Sequence, residues 1–269
     1  NNYNEEAKIL PDFFKYCFSK DVIHFLLSAR KNLNWKRKKV DTTLMSIILV
    51  YLHNDIGQGL SNQMKQTKSM GPTYSINWWK KNGMSKPPKV DSVKLLTEKL
   101  NWRYEKGIPE VEESEVILGD STKELTRIVS NSQKYDIKFS LLLTSPPYYS
   151  ITDYHVDQWL RLWMLGGATK PKSQNDIHKG RFMSKENYRN LLDKVFCESA
   201  KMMYDKSTVY VRTDAREFTL DTTKEILRKH FPNHRMRVVP NPIVKKTQTA
   251  IYGDRTKKKG EMDLILTKR

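Results

Sequence analysis

Five consecutive residues, Thr144-Ser145-Pro146-Pro147-Tyr148, carry the strongest chemical signal in the chain. They follow the apolar run Phe139-Ser140-Leu141-Leu142-Leu143, which reads as a buried strand. The pentapeptide is therefore predicted at the carboxyl end of that strand, where open α/β sheets hold ligands. Two adjacent prolines fix φ and remove two N–H donors, which stiffens the turn and leaves its carbonyl oxygens free to accept hydrogen bonds. Stiff acceptors beside an aromatic ring suit one demanding reaction. The exocyclic amine of cytosine or adenine is a poor nucleophile because its lone pair is conjugated with the ring. Acceptors must draw its N–H groups out of the ring plane. The Ser145 oxygen and the Pro146 carbonyl could do so while Tyr148 stacks on a base extruded from the duplex, leaving the nitrogen lone pair aimed at a methyl sulfonium. The plainer reading is a strand-terminating turn in which Pro146-Pro147 stops the ladder and Tyr148 only packs. The five-residue combination and the strand before it favour the chemical reading.

The elements that must position this loop follow from the periodicity. From Val116 the chain alternates short apolar runs with helical stretches. Val116-Ile117-Leu118 reads as a strand, about 121–131 as a helix and Phe139 to Leu143 as the next strand. Helices follow near 158–165, 185–204 and 219–230, with a strand at 208–211 and a terminal antiparallel hairpin formed by 236–244 and 262–267. The span from 5 to 105 shows helical spacing instead, as in Val22, Phe25, Leu26 and Ala29, then Leu44, Ile47, Ile48 and Tyr51. This divides the chain into a helical region with a DNA-facing loop, 1–110, and an α/β domain, 111–269. Gly57 to Gly83 mixes Gly, Ser, Asn, Lys and aromatic residues and is expected to be a long ordered loop placed for contact rather than packing. Gly166 to Met183 has few apolar anchors and is expected to be mobile. Trp159 and Trp163, four apart, are expected on a helix face that packs behind the active loop.

Charge names the leading partner. Forty-eight Lys+Arg against 30 Asp+Glu leave +18 over 269 residues, enough to draw the protein onto a polyanion by counterion release. With 38% hydrophobic residues the chain can build a core, and no apolar run approaches the ~20 residues of a membrane span. Lys65, Lys68, Lys80 and Lys81 interleave with Tyr74, Trp78 and Trp79, a mixture suited to phosphate contact beside stacking surfaces, although Trp78 and Trp79 alone read as core. The runs Lys36 to Lys39 and Lys257 to Lys259 have the look of solvated loops. The second stands beside Lys245, Lys246 and Arg255 in the predicted hairpin, where DNA contact and solvation are equally open. Cys17 and Cys197 make neither a disulfide framework nor a zinc set, which fits a reducing cytoplasm. Six scattered histidines support neither a metal site nor a triad. The chain begins Asn1-Asn2-Tyr3 without an initiator Met, an opening compatible with residues upstream.

On the pentapeptide and its strand the sequence resembles the amino-group DNA methyltransferases, the N4-cytosine and N6-adenine enzymes whose signature is Asp/Asn/Ser-Pro-Pro-Tyr/Phe. Val116-Ile117-Leu118-Gly119-Asp120, followed by a helix and the signature strand, extends the match. So do Val209 to Asp214, Lys245 to Asp263 and Leu60 to Met70, less specifically. The resemblance implies a class I, Rossmann-like methyltransferase sheet and S-adenosylmethionine as methyl donor. It makes Ser145, Pro146, Pro147 and Tyr148 the catalytic loop and Asp120 and Thr144 the cofactor-facing residues, Asp120 toward the adenine. Without it, Asp120 would read as a helix cap. Ser before Pro-Pro favours cytosine N4 over adenine N6, and disfavours an RNA methyltransferase, where Asn or Asp is usual. The family's glycine-rich cofactor loop, Asp-Pro-Phe-x-Gly-Ser-Gly, has no counterpart here. Gly57-Gln58-Gly59 lacks a preceding strand and Gly166-Gly167 follows a helix. The sheet is then incomplete in this chain, and the loop is expected either in residues upstream of Asn1 or, the preferred reading, in a companion chain, as in a split heterodimer serving DNA modification with or without a restriction nuclease. The competing expectation is a non-catalytic DNA-binding subunit of a methyltransferase complex that kept the fold and lost the cofactor loop.

Overall fold

The computed structural model describes residues 3–66, 69–105, 107, 114–134, 136–150, 154–171, 184–241 and 260–268. Helices α1 (Asn4–Ile9), α2 (Asp12–Cys17), α3 (Lys20–Asn32), α4 (Lys39–Tyr51), α5 (Pro72–Lys81), α6 (Ser92–Tyr104) and α7 (Ser121–Lys134) precede strand β1 (Phe139–Thr144). After it come α8 (Tyr154–Asp157), α9 (Trp159–Met164), α10 (Lys185–Lys201), β2 (Met203–Asp214), α11 (Glu217–His230), β3 (His234–Asn241) and β4 (Glu261–Lys268). They form two units, one of Asn1–Val111 with Asp153–Gln174, the other of Glu112–Thr152 with Asn175–Arg269.

The first unit is helical. Ser19 caps α3 by accepting from the Val22 N–H, Asp91 caps α6 through the Lys94 N–H, and Pro72 opens α5 where its missing N–H costs nothing. Helical spacing sends Val22, Ile23, Leu26 and Leu27 into the core with Phe13 and Phe14. Trp159 and Trp163 of α9 join them: Phe13 lies 4.9 Å from the Trp159 ring and Phe14 4.6 Å from that of Trp163. Both tryptophans thus lie on a helix face that packs as core, against aromatic partners from the start of the chain. Their helix returns to the first unit, where the aromatic partners stand.

The loop expectation for 57–83 is also corrected. Leu60, Ser61, Asn62 and Met64 are buried, and 72–81 is helix α5, whose Trp79 is buried with its indole N–H donating to the Gln63 carbonyl. Polar composition misled because the polar groups work inward. The Asn62 amide donates to the carbonyls of Tyr16 and Met84, at 3.0 and 2.8 Å, supplying donors to buried backbone acceptors. His53, fully buried, bonds through Nδ1 to the Lys65 carbonyl and through Nε2 to the Ser69 hydroxyl. Burial, then the charge of Arg161, lowers its pKa to about 3 against the opposing pull of the Lys65 carbonyl, so the ring is neutral.

The second unit is a mixed sheet of order β1-β2-β4-β3, with β1 parallel to β2 and the other pairs antiparallel. Register assigns its faces. Leu142, Val209, Leu266 and Met236 form one row across the sheet, and the buried Val209 and Leu266 pack with Leu192 and Phe196 of α10 and Leu227 of α11. The adjacent row, Leu143, Tyr210, Ile265 and Arg237, lies on the opposite face. There Phe139, Leu141 and Leu143 remain 45%, 54% and 67% exposed. Val116-Ile117-Leu118 is not a strand: it pairs with none of the described residues, and Val116 and Leu118 are almost wholly exposed. An apolar run becomes a strand only when another strand takes up its backbone groups.

Candidate functional site

The Pro-Pro turn leaves β1 at an edge of the sheet where three strand ends meet. Parallel pairing brings the end of β1 beside that of β2, with Thr144 opposite Val211. Antiparallel pairing brings the start of β4 to the same edge, with Glu261 opposite Asp214. Gly260, at φ +85°, makes the entry to β4, and its carbonyl accepts from the Ala215 N–H at 3.2 Å. That left-handed backbone is tolerated by glycine without the Cβ penalty.

Three elements hold the segment that follows β1. The Tyr188 hydroxyl on α10 donates to the Pro147 carbonyl at 3.0 Å. The Tyr148 hydroxyl donates to Glu261 Oε1 at 2.6 Å. Arg216, at the N-cap of α11, donates to the Tyr149 carbonyl while pairing with Asp214. The Tyr149 ring packs edge-on against Phe218, 4.7 Å away, and Tyr188, 5.7 Å away. The Arg212 guanidinium makes two bonds to Asp263, at 2.7 and 3.0 Å, and its Nε lies 3.8 Å from Glu261. Burial pushes the Tyr188 phenol up to about 12. Burial, reinforced by the Glu261 carboxylate, holds the Tyr148 phenol above the ordinary tyrosine range, while the Ser145 hydroxyl bonds to the same phenol and opposes the shift. Both phenols are therefore neutral donors at neutral pH. Ser145 itself is exposed.

Of the residues singled out in the sequence, Thr144, Ser145, Pro146, Pro147 and Tyr148 are contiguous at this edge. Asp120 opens α7, and its Oδ1 accepts from the Thr122 N–H and hydroxyl at 3.0 and 2.8 Å, the geometry of a helix cap. Lys65 Nζ is engaged with Asp55, 2.9 and 2.7 Å from its two carboxylate oxygens. Lys68, Lys245, Lys246 and Arg255 lie outside the described residues. Sequence reasoning gave no role to Glu261, Asp214, Arg216, Arg212, Asp263 or Tyr188. The available signal was the pair of segments Val209 to Asp214 and Gly260 to Asp263, noted only as further likenesses to the family.

The positive-φ glycines Gly57 and Gly166 follow helices rather than strands, and Asp120 caps α7 through its Oδ1. Among the described residues, no cluster of His, Cys, Asp and Glu is arranged to hold a metal ion, and no helix is long and apolar enough to cross a membrane. No protein-family model matches the chain, and a search of curated proteins finds no significant match.

Proposed function

We propose that this chain is the base-handling part of a DNA methyltransferase that modifies an exocyclic amine, with cytosine N4 the favoured target and adenine N6 the alternative, S-adenosylmethionine being the donor. The observation that carries the reading is the stiff Ser145-Pro146-Pro147-Tyr148 turn at the carboxyl end of β1, tied down through the Pro147 carbonyl, the Tyr148 hydroxyl and the Tyr149 carbonyl. Such a turn holds acceptors and a ring in one geometry before the substrate arrives, which is what a weak nucleophile requires. Ser145 is exposed, where an extruded base can reach it, and Tyr148 supplies a ring for that base to lie against. Phosphate contacts by the basic chain supply affinity without taking part in the chemistry.

The donor is assigned to a glycine-rich loop outside these residues, in a companion polypeptide in preference to a segment upstream of Asn1. Two apolar segments support this: β1 has β2 as its only partner among the described strands and exposes Leu141 and Leu143, while Val116 and Leu118 pair with none of the described strands. An apolar strand with a free edge invites a neighbouring strand. The test uses the enzyme purified from its native cells through a tag on this chain, so that a companion comes with it. Incubation with isotopically labelled donor and DNA, followed by nucleoside mass spectrometry, should yield N4-methylcytosine. N6-methyladenine would move the target and keep the reaction class. 5-Methylcytosine would sink the mechanism, because carbon methylation needs a covalent nucleophile and neither Cys17 nor Cys197 lies in this loop.

A further inference from the structure

We propose that Glu261 is a positioning residue for Tyr148: it anchors the phenol so that the ring stands ready to receive the base, an inference that rests on the function proposed above. Stacking alone does not need a hydroxyl, since a phenylalanine ring offers the same face. What the hydroxyl adds is a second point of attachment. The Tyr148 ring is joined to the backbone at Cβ and held at Oη by Glu261 Oε1 at 2.6 Å, and these two atoms lie on the ring's long axis. The tether therefore limits χ1, which decides where the ring stands. A hydrogen bond to a carboxylate is also stronger than one between neutral groups.

The carboxylate is itself held. Glu261 follows Gly260, pairs with Asp214 across the β2–β4 ladder, and has Arg212 at 3.8 Å. Arg212 is closer to Asp263, which binds it through both oxygens, so the nearest partner of Glu261 is the Tyr148 hydroxyl. The Glu261 side chain is 37% exposed, so it faces the open side of the site rather than a closed core. The acid is thus partly exposed beside a phenol at the mouth of a rigid turn. The geometry points to Glu261 aiming Tyr148.

The experiment uses the enzyme purified from native cells through a tag on this chain, as wild type and as Glu261→Ala, Glu261→Gln, Tyr148→Phe and the Tyr148→Phe/Glu261→Ala double variant. In Glu261→Ala, kcat should fall by at least about tenfold with the KM for DNA changed by less than about threefold, because the ring is misplaced while phosphate contacts persist. Glu261→Gln, whose amide oxygen can still accept the bond, should restore most of kcat. Once the hydroxyl is gone, Glu261→Ala should cost nothing further, so the double variant should match Tyr148→Phe. NMR of ring-labelled tyrosine, with Tyr148 assigned by its loss in Tyr148→Phe, should show that resonance displaced in Glu261→Ala and near its wild-type position in Glu261→Gln. This readout needs no methyl transfer. An unmoved resonance, or additive losses in the double variant of an active enzyme, overturns the positioning role. If Glu261→Ala fails to fold, the decision passes to Glu261→Gln and Tyr148→Phe, where a kcat loss in Glu261→Gln as large as in Tyr148→Phe overturns it. Absence of methyl transfer by the wild type, with the resonance behaving as stated, sinks the proposed function instead.

Discussion

Arg216 reaches from the N-cap of α11 to the carbonyl oxygen of Tyr149, and the same guanidinium neutralises Asp214, a carboxylate only 6% exposed at the end of β2. One side chain thus joins the turn after β1 to the neighbouring strand. Arg216→Ala leaves a nearly buried acid uncompensated and a backbone carbonyl without its donor. Removing one partner of a fully buried pair costs about 3–5 kcal/mol, and exposure of the guanidinium brings the expected loss here to roughly 2 kcal/mol. Denaturant unfolding of the chain checks this, and an unchanged midpoint would show that the clamp contributes nothing to stability.

Ser145→Ala and Tyr148→Ala are expected to abolish methylation while leaving DNA affinity within about threefold, since counterion release by the basic chain supplies most of the binding. Methyl transfer and electrophoretic mobility shift are measured on the same preparations. Near-normal turnover by both variants would remove the Pro-Pro turn from the chemistry.

On the open side of the sheet, Leu141→Lys and Leu143→Lys should barely affect the chain itself, because both side chains are more than half exposed. Their unfolding free energies are expected to shift by less than about 0.5 kcal/mol, as for ordinary surface substitutions. Recovery of a companion polypeptide by the tagged chain should fall sharply. Equal recovery with wild type and variants would mean that this edge of β1 is not where a partner binds.

His53 imposes a pH dependence on the first unit. Its folded pKa is depressed to about 3 by burial and by the charge of Arg161, against 6.5 for the ordinary ring, so the unfolded chain takes up the proton first. The neutral-ring contribution is complete above about pH 6.5 and is lost as the pH falls toward 3, with roughly 2 kcal/mol gone between pH 7 and pH 5. Denaturant titrations at the two pH values, for wild type and His53→Gln, measure it. The variant should lose about 2 kcal/mol less over this interval, and equal losses in both would show that another group carries the dependence.

Local rules made much of the second unit legible. The run from Phe139 to Leu143 ends at Pro146-Pro147, and both the strand and its stop follow from side-chain pattern and the missing proline donors. The same logic marked α9 as a helix but could not say what it packs against, since Trp159 finds Phe13 and Phe14 almost 150 positions away in the chain. Val116-Ile117-Leu118 carries strand composition and is no strand, because pairing is supplied by a neighbour and never by the run alone.

What the sequence determined by itself was the chemistry of the turn: two prolines, a hydroxyl and a phenol in a fixed order at a strand end. What only the tertiary structure decided was the company this turn keeps. Glu261 is 113 positions from Tyr148, and the two meet because β1 runs parallel to β2 while β4 runs antiparallel to it, so the end of one strand and the start of another share an edge. A one-residue slip in that register would turn Glu261 to the other face of the sheet, and no local propensity encodes the difference.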